Sequence, residues 1–332
     1  MPRTANWPTC GRAHRKKVCG LWAARWPKAA FIRSMSHYKL KRLNSDLLHT
    51  STNMIKIDAQ VHAYEHNHAG RPWAATLHGP ATATGEEMIA AMDAVGVDAA
   101  ILVSVFTMYQ FDPSYALEVF NKYPKRFRVI KPVDPTDPAV ADTIADWAAT
   151  KGAIAIRIML NRGVSEDPAD PGIKRVLDAA ARHSLPVNLL CWGRLAQTKE
   201  LAARNPNTRL VIDHLGLQQP FEPPVPAQPF GELPTVLALA KYDNVVIKIS
   251  GACTLSHEKF PYKDIWDPLA RIFDAYGFER CMWGTDWTRA VELLNYKQGV
   301  EAFTLTDRLS DSERTQLMGG SLQKIYNWTY SA

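Results

Sequence analysis

Met54-Ile-Lys-Ile-Asp-Ala-Gln-Val-His62 opens the periodic part of this 332-residue chain. Ile55–Ile57 is a short apolar, β-rich run. Behind it Asp58, Gln60 and His62 alternate, so their side chains are expected on one side of a strand. Seven similar runs follow, at Ala99–Val105, Phe127–Pro132, Ala153–Met159, Pro186–Leu190, Arg209–Ile212, Val245–Ile249 and Cys281–Trp283. Most are flat hydrophobic stretches rather than strict alternations, as parallel strands covered on both faces require.

Helical patterns separate the runs. Thr84-Gly-Glu-Glu87 is a capping box ahead of Met88, Ile89, Met92 and Val95, whose spacing makes one apolar face. Asp112-Pro113, Asp137-Pro138 and Asp170-Pro171 each place an N-cap acid before a first-turn proline, where a missing N–H costs nothing. Further helices are expected within Leu195–Arg204, Pro234–Tyr242 and Asp264–Tyr276, and Ser310-Asp-Ser-Glu313 is a second capping box. Eight strand–helix alternations over about 275 residues predict a single (β/α)₈ TIM barrel spanning 54–332. A doubly wound open sheet is the alternative, disfavoured because no GxGxxG turn is present. Gln219–Pro234, with six prolines, reads as a long loop after the sixth strand, placed to cover the barrel mouth.

The net charge of +6 dissolves when it is divided. Residues 1–53 hold eleven Lys/Arg against one acid, Asp46, which leaves 28 basic and 32 acidic residues in the remainder. The body therefore gives no reason to expect nucleic acid as a partner. The basic extension has three readings: a start assigned upstream of Met54 or Met35 with a disordered segment, a transit-type targeting peptide, or a functional extension. No apolar run reaches the roughly 18 residues of a membrane span. Beyond the extension only Cys191, Cys253 and Cys281 remain, without a CxxC pair; this is no disulfide framework, and a reducing, cytoplasmic setting is expected.

Active-site groups of such barrels sit where strands end. Gln60 and His62 follow strand one, Arg157 lies in strand four, Asp213-His214-Leu-Gly216 ends strand six, and Gly284-Thr-Asp286-Trp287 ends strand eight. A lone His or Asp at a strand end is often a structural hydrogen-bonding group or a helix cap, but their convergence on one mouth points to a metal or substrate site. Arg157 in a buried strand needs an anion, either a protein carboxylate or a substrate carboxylate held bidentately. His66 and His68 read as solvated loop residues, and Cys191 as a small buried one rather than a nucleophile.

At IDAQVH, RPW (71–73), AIR (155–157), LPVNLLCWGRL (185–195), VIDHLG (211–216), NVVIKISG (244–251), RCMWGTDW (280–287) and the terminal MGGSLQKIYNW, the chain resembles the amidohydrolase-2 family. Within it the resemblance is to the lactonase branch of pyrone-dicarboxylate lactonases and sugar-lactone hydrolases. The order and spacing of the pieces carry this, and they run from about Met54 to Trp328. The family's strand-one pattern is a metal-binding HxH; here Gln60 replaces the first His and His62 matches the second. His214 matches the strand-six His and Asp286 the strand-eight Asp, while strand five carries Leu190-Cys191 where decarboxylase relatives have a ligand His. The resemblance implies that His62, His214 and Asp286 are the metal-ligand candidates. It also implies either no metal or a weakly bound divalent ion, zinc first among them, because an amide oxygen is a weak zinc donor.

The expected chemistry is hydrolysis of a small carboxylated lactone or related cyclic ester. Asp286 is the general base, its pKa shifted toward the working range, with His62 and His214 as catalytic partners. Gln60 and Arg157 bind substrate, Arg157 through a carboxylate. A metal-dependent decarboxylase or hydratase and a non-catalytic barrel that binds a small acid are the rival readings.

Overall fold

The computed structural model describes residues 54–331; the readings made of residues 1–53 lie outside them. Eight parallel strands follow one another round the sheet in chain order: β1 Ile57–Val61, β2 Ala99–Val103, β3 Phe127–Pro132, β4 Ala153–Ile158, β5 Val187–Leu189, β6 Leu210–Ile212, β7 Val245–Ser250 and β8 Cys281–Gly284. This is the expected (β/α)₈ barrel. Its strands are buried along nearly their whole length, because helices cover them outside and side chains fill them inside.

The seam between β8 and β1 closes by hydrogen bonds at the top. The Asp286 N–H donates to the Gln60 carbonyl at 2.9 Å. The Asp58 carboxylate accepts from the Thr285 N–H at 2.9 Å and the Thr285 hydroxyl at 2.6 Å. Gly284 is needed for this approach, since a Cβ there would stand 3.1 Å from both Asp58 Oδ1 and the Gln60 nitrogen.

The helix signals hold in physical detail. Thr84 and Ser310 each form the reciprocal capping box with Glu87 and Glu313. Asp170 caps the helix Pro171–Arg182 through the N–H groups of Gly172 and Ile173. Asp112 and Asp137 sit slightly outside their helices and hold the preceding turn instead, accepting from the Ser114 and Ala139 N–H groups. A helix at Tyr296–Thr304, capped by Asn295 and Gln298, was not anticipated.

Inside the barrel the lower layers are apolar. Ile101, Ile130, Ala155, Val211, Val246 and Met282 pack with Leu322, Ile325, Tyr326 and Trp328 from the C-terminal segment, which forms the floor. Two residues further along their strands, on the same inner face, come Arg157, Asp213 and Lys248. The barrel interior thus changes from hydrocarbon to charge toward the C-terminal ends of its strands, where the site lies.

Candidate active site

Strand one does not alternate as its sequence suggests. Asp58 pairs with Ala100, but the next match after the irregularity is Val61 with Leu102, so β1 holds an extra residue there. Ile57 and Ala59 fill the inner apolar layer, and Asp58, lying between them, turns to the seam. The expectation that Asp58, Gln60 and His62 share one face is therefore corrected: the bulge brings only Gln60 and His62 inward. Burial drives the Asp58 carboxyl up to about 7 against the hydrogen bonds from Thr285 and Gln60.

His62, His214 and Asp286 do converge. His62 Nε2 lies 3.2 Å from Asp286 Oδ1, and His214 Nδ1 lies 3.3 Å from Asp286 Oδ2. Both His214 and Asp286 have left-handed backbone, with φ of 52° and 51°. Non-glycine residues hold that conformation at a cost, and here it turns each strand end abruptly so that the side chain enters the mouth.

The tautomers follow from the partners. His62 Nδ1 is 2.7 Å from the Val103 carbonyl, which can only accept, so Nδ1 carries a proton. His214 Nε2 is 3.1 Å from Arg157 Nη2, which can only donate, so its proton is on Nδ1, toward Ser250 Oγ at 3.1 Å and Asp286. Burial pushes the His214 imidazole down to about 3, so it is neutral near pH 7.

Of the two anions offered for Arg157, the structure supplies the protein carboxylate. Arg157 Nε donates to Asp213 Oδ2 at 2.7 Å. Asp213 Oδ1 also accepts from Asn188 at 2.9 Å and faces Lys248 Nζ at 3.2 Å. Lys248 in turn donates to Gln60 Oε1 at 2.8 Å, and the Gln60 amide nitrogen stands 3.4 Å from His62 Nε2. Burial pushes the Asp213 carboxyl up, but Lys248 and Arg157 outweigh it and hold the group below the usual carboxylate range.

Asp286 has a partner that sequence reasoning missed. Arg289, three residues on, donates to Oδ2 from Nε and ties the Pro-rich loop to the site through Gln219 Oε1 and the Pro220 carbonyl. Burial pushes the Asp286 carboxyl up, but Arg289, with His214 and His62, more than offsets that and holds it well below the ordinary range. The expected shift toward working pH is thus corrected: a buried guanidinium makes Asp286 a permanent carboxylate. Its buried Oδ1 lies 3.2 Å from His62 Nε2 and is left without a well-aligned hydrogen bond.

The cavity above these groups measures about 50 Å³ and is lined by His62, Arg157, Arg162, Trp192, Phe221, Asp286 and Arg289, among others. That is room enough for a water molecule, whose share of liquid is about 30 Å³. Phe221 closes it from the Pro-rich loop, its ring 6.2 Å from Trp192 and 5.2 Å from the Arg289 guanidinium. The loop Gln219–Pro234 thus reaches the mouth at its N-terminal end, through Gln219, Pro220 and Phe221. His68 binds exposed Glu65, and Cys191 is buried with its thiol pushed up to about 12, so neither joins the site.

The donor set does not fit a resident divalent ion. His214 Nε2 is taken by a guanidinium, and Gln60 points N–H groups inward. Among the described residues, the three metal-type side chains whose ligand atoms lie within 4.8 Å of one another are His78, Glu222 and Glu292, all exposed; His62, His214 and Asp286 make no such group. Three cations, Arg157, Lys248 and Arg289, already stand against two carboxylates, Asp213 and Asp286.

The Amidohydrolase family model matches residues 57–328. The chain belongs to this family of hydrolases. It is 30% identical over 184 residues to an L-fucono-1,5-lactonase of Burkholderia ambifaria, a match covering 54% of this chain and only 61% of that relative. Its fold is that of an amidohydrolase from Burkholderia multivorans solved with zinc bound, at 22% identity and a TM-score of 0.67, covering 82% of this chain and 99% of that one. A probable 2-pyrone-4,6-dicarboxylic acid hydrolase from Acinetobacter baumannii, solved with citric acid, is similar at 20% identity and a TM-score of 0.66, covering 82% and 100%. Among the described residues no helix is long and apolar enough to cross a membrane.

Proposed function

We propose that the chain hydrolyses a small lactone bearing hydroxyl or carboxylate groups, with water held by Asp286 and His62. The observation that carries this is the buried Asp286 Oδ1, without a well-aligned donor, beside His62 at the wall of a small cavity. A buried carboxylate oxygen in that position is satisfied by one water that donates a proton to it. Its lone pair is then free to attack a carbonyl carbon above it. As the C–O bond forms, a proton passes to Asp286 or His62, and the developing oxyanion meets N–H donors of Arg157 and Gln60. Breaking the ring C–O bond releases the hydroxyl, which takes that proton back.

In this reading His214 is neutral and orients Arg157 and Asp286 from its two nitrogens. Arg289, rather than Arg157, is the cation proposed to exchange its partner for a substrate carboxylate, because it also holds the Pro220 carbonyl of the loop, whereas Arg157 is tied to Asp213 and His214. The lactonase names among the relatives favour the same reaction class. No step is assigned to a metal, since the donor set does not suit one. Assay of a lactone panel by proton release, with wild type and Asp286→Asn side by side, tests the reading: turnover confined to the wild type supports it, and equal rates end it.

A further inference from the structure

The poor fit to a divalent ion has a more specific origin than the missing His at position 60. We infer that Lys248 is the residue that excludes the ion, by dictating which edge of residue 60 faces the site.

Lys248 is fully buried at the centre of the barrel, where burial pushes its pKa down against the pull of the Asp213 carboxylate 3.2 Å away. An ammonium has three donors and no acceptor, so whatever stands against it must offer a lone pair. Gln60 does so with Oε1, at 2.8 Å, and this fixes its amide with the N–H edge toward His62 Nε2. Turning the amide over would set two donors against each other in the buried interior, which costs the desolvation of both. The orientation is therefore set by chemistry and does not depend on telling oxygen from nitrogen in the amide.

The same constraint acts on a histidine placed there. An imidazole that gives one lone pair to Lys248 is protonated on its other nitrogen, and it presents N–H toward the site as Gln60 does. Lys248 also adds a positive charge behind residue 60, with Arg157 drawing on the same Asp213 carboxylate. A divalent ion beside His62 and Asp286 would meet both a donor edge and that charge. Lys248 is thus a positioning residue: it touches no reacting atom, and it makes position 60 a permanent donor.

The test reads zinc content and does not depend on the lactonase reading. The full-length chain is prepared as wild type, Gln60→His, Lys248→Met and the double variant, all with His78→Ala to remove the exposed His78–Glu222–Glu292 group. Each is loaded with zinc, desalted, and measured by elemental analysis and chelator competition, with circular dichroism to verify the fold. The expected result is that Gln60→His keeps no more zinc than wild type, while the double variant holds about one zinc per chain, at least roughly 100-fold more tightly. Retention of one zinc per chain by Gln60→His alone overturns the inference. So does a folded double variant that binds no better than the single one. Should Lys248→Met fail to fold, Lys248→Gln gives Asp213 a neutral N–H donor, and the same two results decide.

Discussion

Arg289 donates from Nε to Oδ2 of Asp286, and the same guanidinium holds Gln219 and Pro220 of the loop over the mouth. The charge of the candidate base and the position of the lid are therefore set by one side chain. Asp286 is a weak base while that pair stands, and a substrate carboxylate that draws Arg289 away would raise its basicity as it enters.

Replacing Arg289 with Met is expected to move the acid limb of the rate profile. Arg289 is the foremost of the groups that depress the Asp286 pKa, so removing it raises that pKa, and activity that needs the carboxylate is then lost at a higher pH. KM for a carboxylated lactone should rise as well. A profile of kcat against pH whose acid limb stays in place would show that Asp286 is not the group being titrated.

Stability should fall in mild acid through His214. Its folded pKa is depressed to about 3 from a reference of 6.5, so between these values the unfolded chain binds a proton that the folded chain refuses. Stability from this group is complete above pH 6.5 and is lost as pH falls toward 3. Asp58, with its raised pKa, acts in the opposite sense over this interval, so the readout is the difference from His214→Gln: the wild-type urea midpoint should lose ground to that of His214→Gln between pH 7 and pH 4.5. A difference that does not change over this interval contradicts a buried neutral imidazole.

Asp58 should matter to the barrel rather than to the reaction. Asp58→Ala leaves the Thr285 and Gln60 N–H groups buried without acceptors and should cost about 2–4 kcal/mol. Asp58→Asn keeps the Oδ1 acceptor and can donate to the Thr285 hydroxyl. The Asp58 carboxyl has a folded pKa near 7, above its reference of 3.8, so its contribution is complete at low pH and is lost as pH rises through 7. Urea unfolding at pH 8 should therefore rank Asn close to wild type and Ala far below. Equal loss for Ala and Asn would mean that the seam does not depend on that acceptor.

Much of this architecture was legible because each strand is a bounded apolar run and several helices announce themselves by capping boxes. The convergence of His62, His214 and Asp286 followed from their places at strand ends. The bulge in β1 was not legible, because a register slip leaves the sequence pattern unchanged, and it sent Asp58 to the seam. Lys248 did leave a signal, as a charge in the middle of Val-Val-Ile-Lys-Ile-Ser, two residues from inward-facing Val246. Arg289 carried no signal in the sequence, and only folding shows that a left-handed turn at Asp286 brings it back onto that carboxylate. Arg157 was expected to hold a substrate carboxylate, and the carboxylate it meets is that of Asp213, which the sequence could not place beside it from two strands away.

The central claim is that water is activated between Asp286 and His62 without a metal. Its most direct test is the rate of lactone hydrolysis by the full-length chain after exhaustive chelation, beside Asp286→Asn under the same conditions. The account predicts that chelation leaves the wild-type rate unchanged, while Asp286→Asn loses at least about 100-fold in kcat with its far-ultraviolet circular dichroism intact. Activity that disappears on chelation and returns with zinc would contradict it, as would an Asp286→Asn variant that retains the wild-type rate.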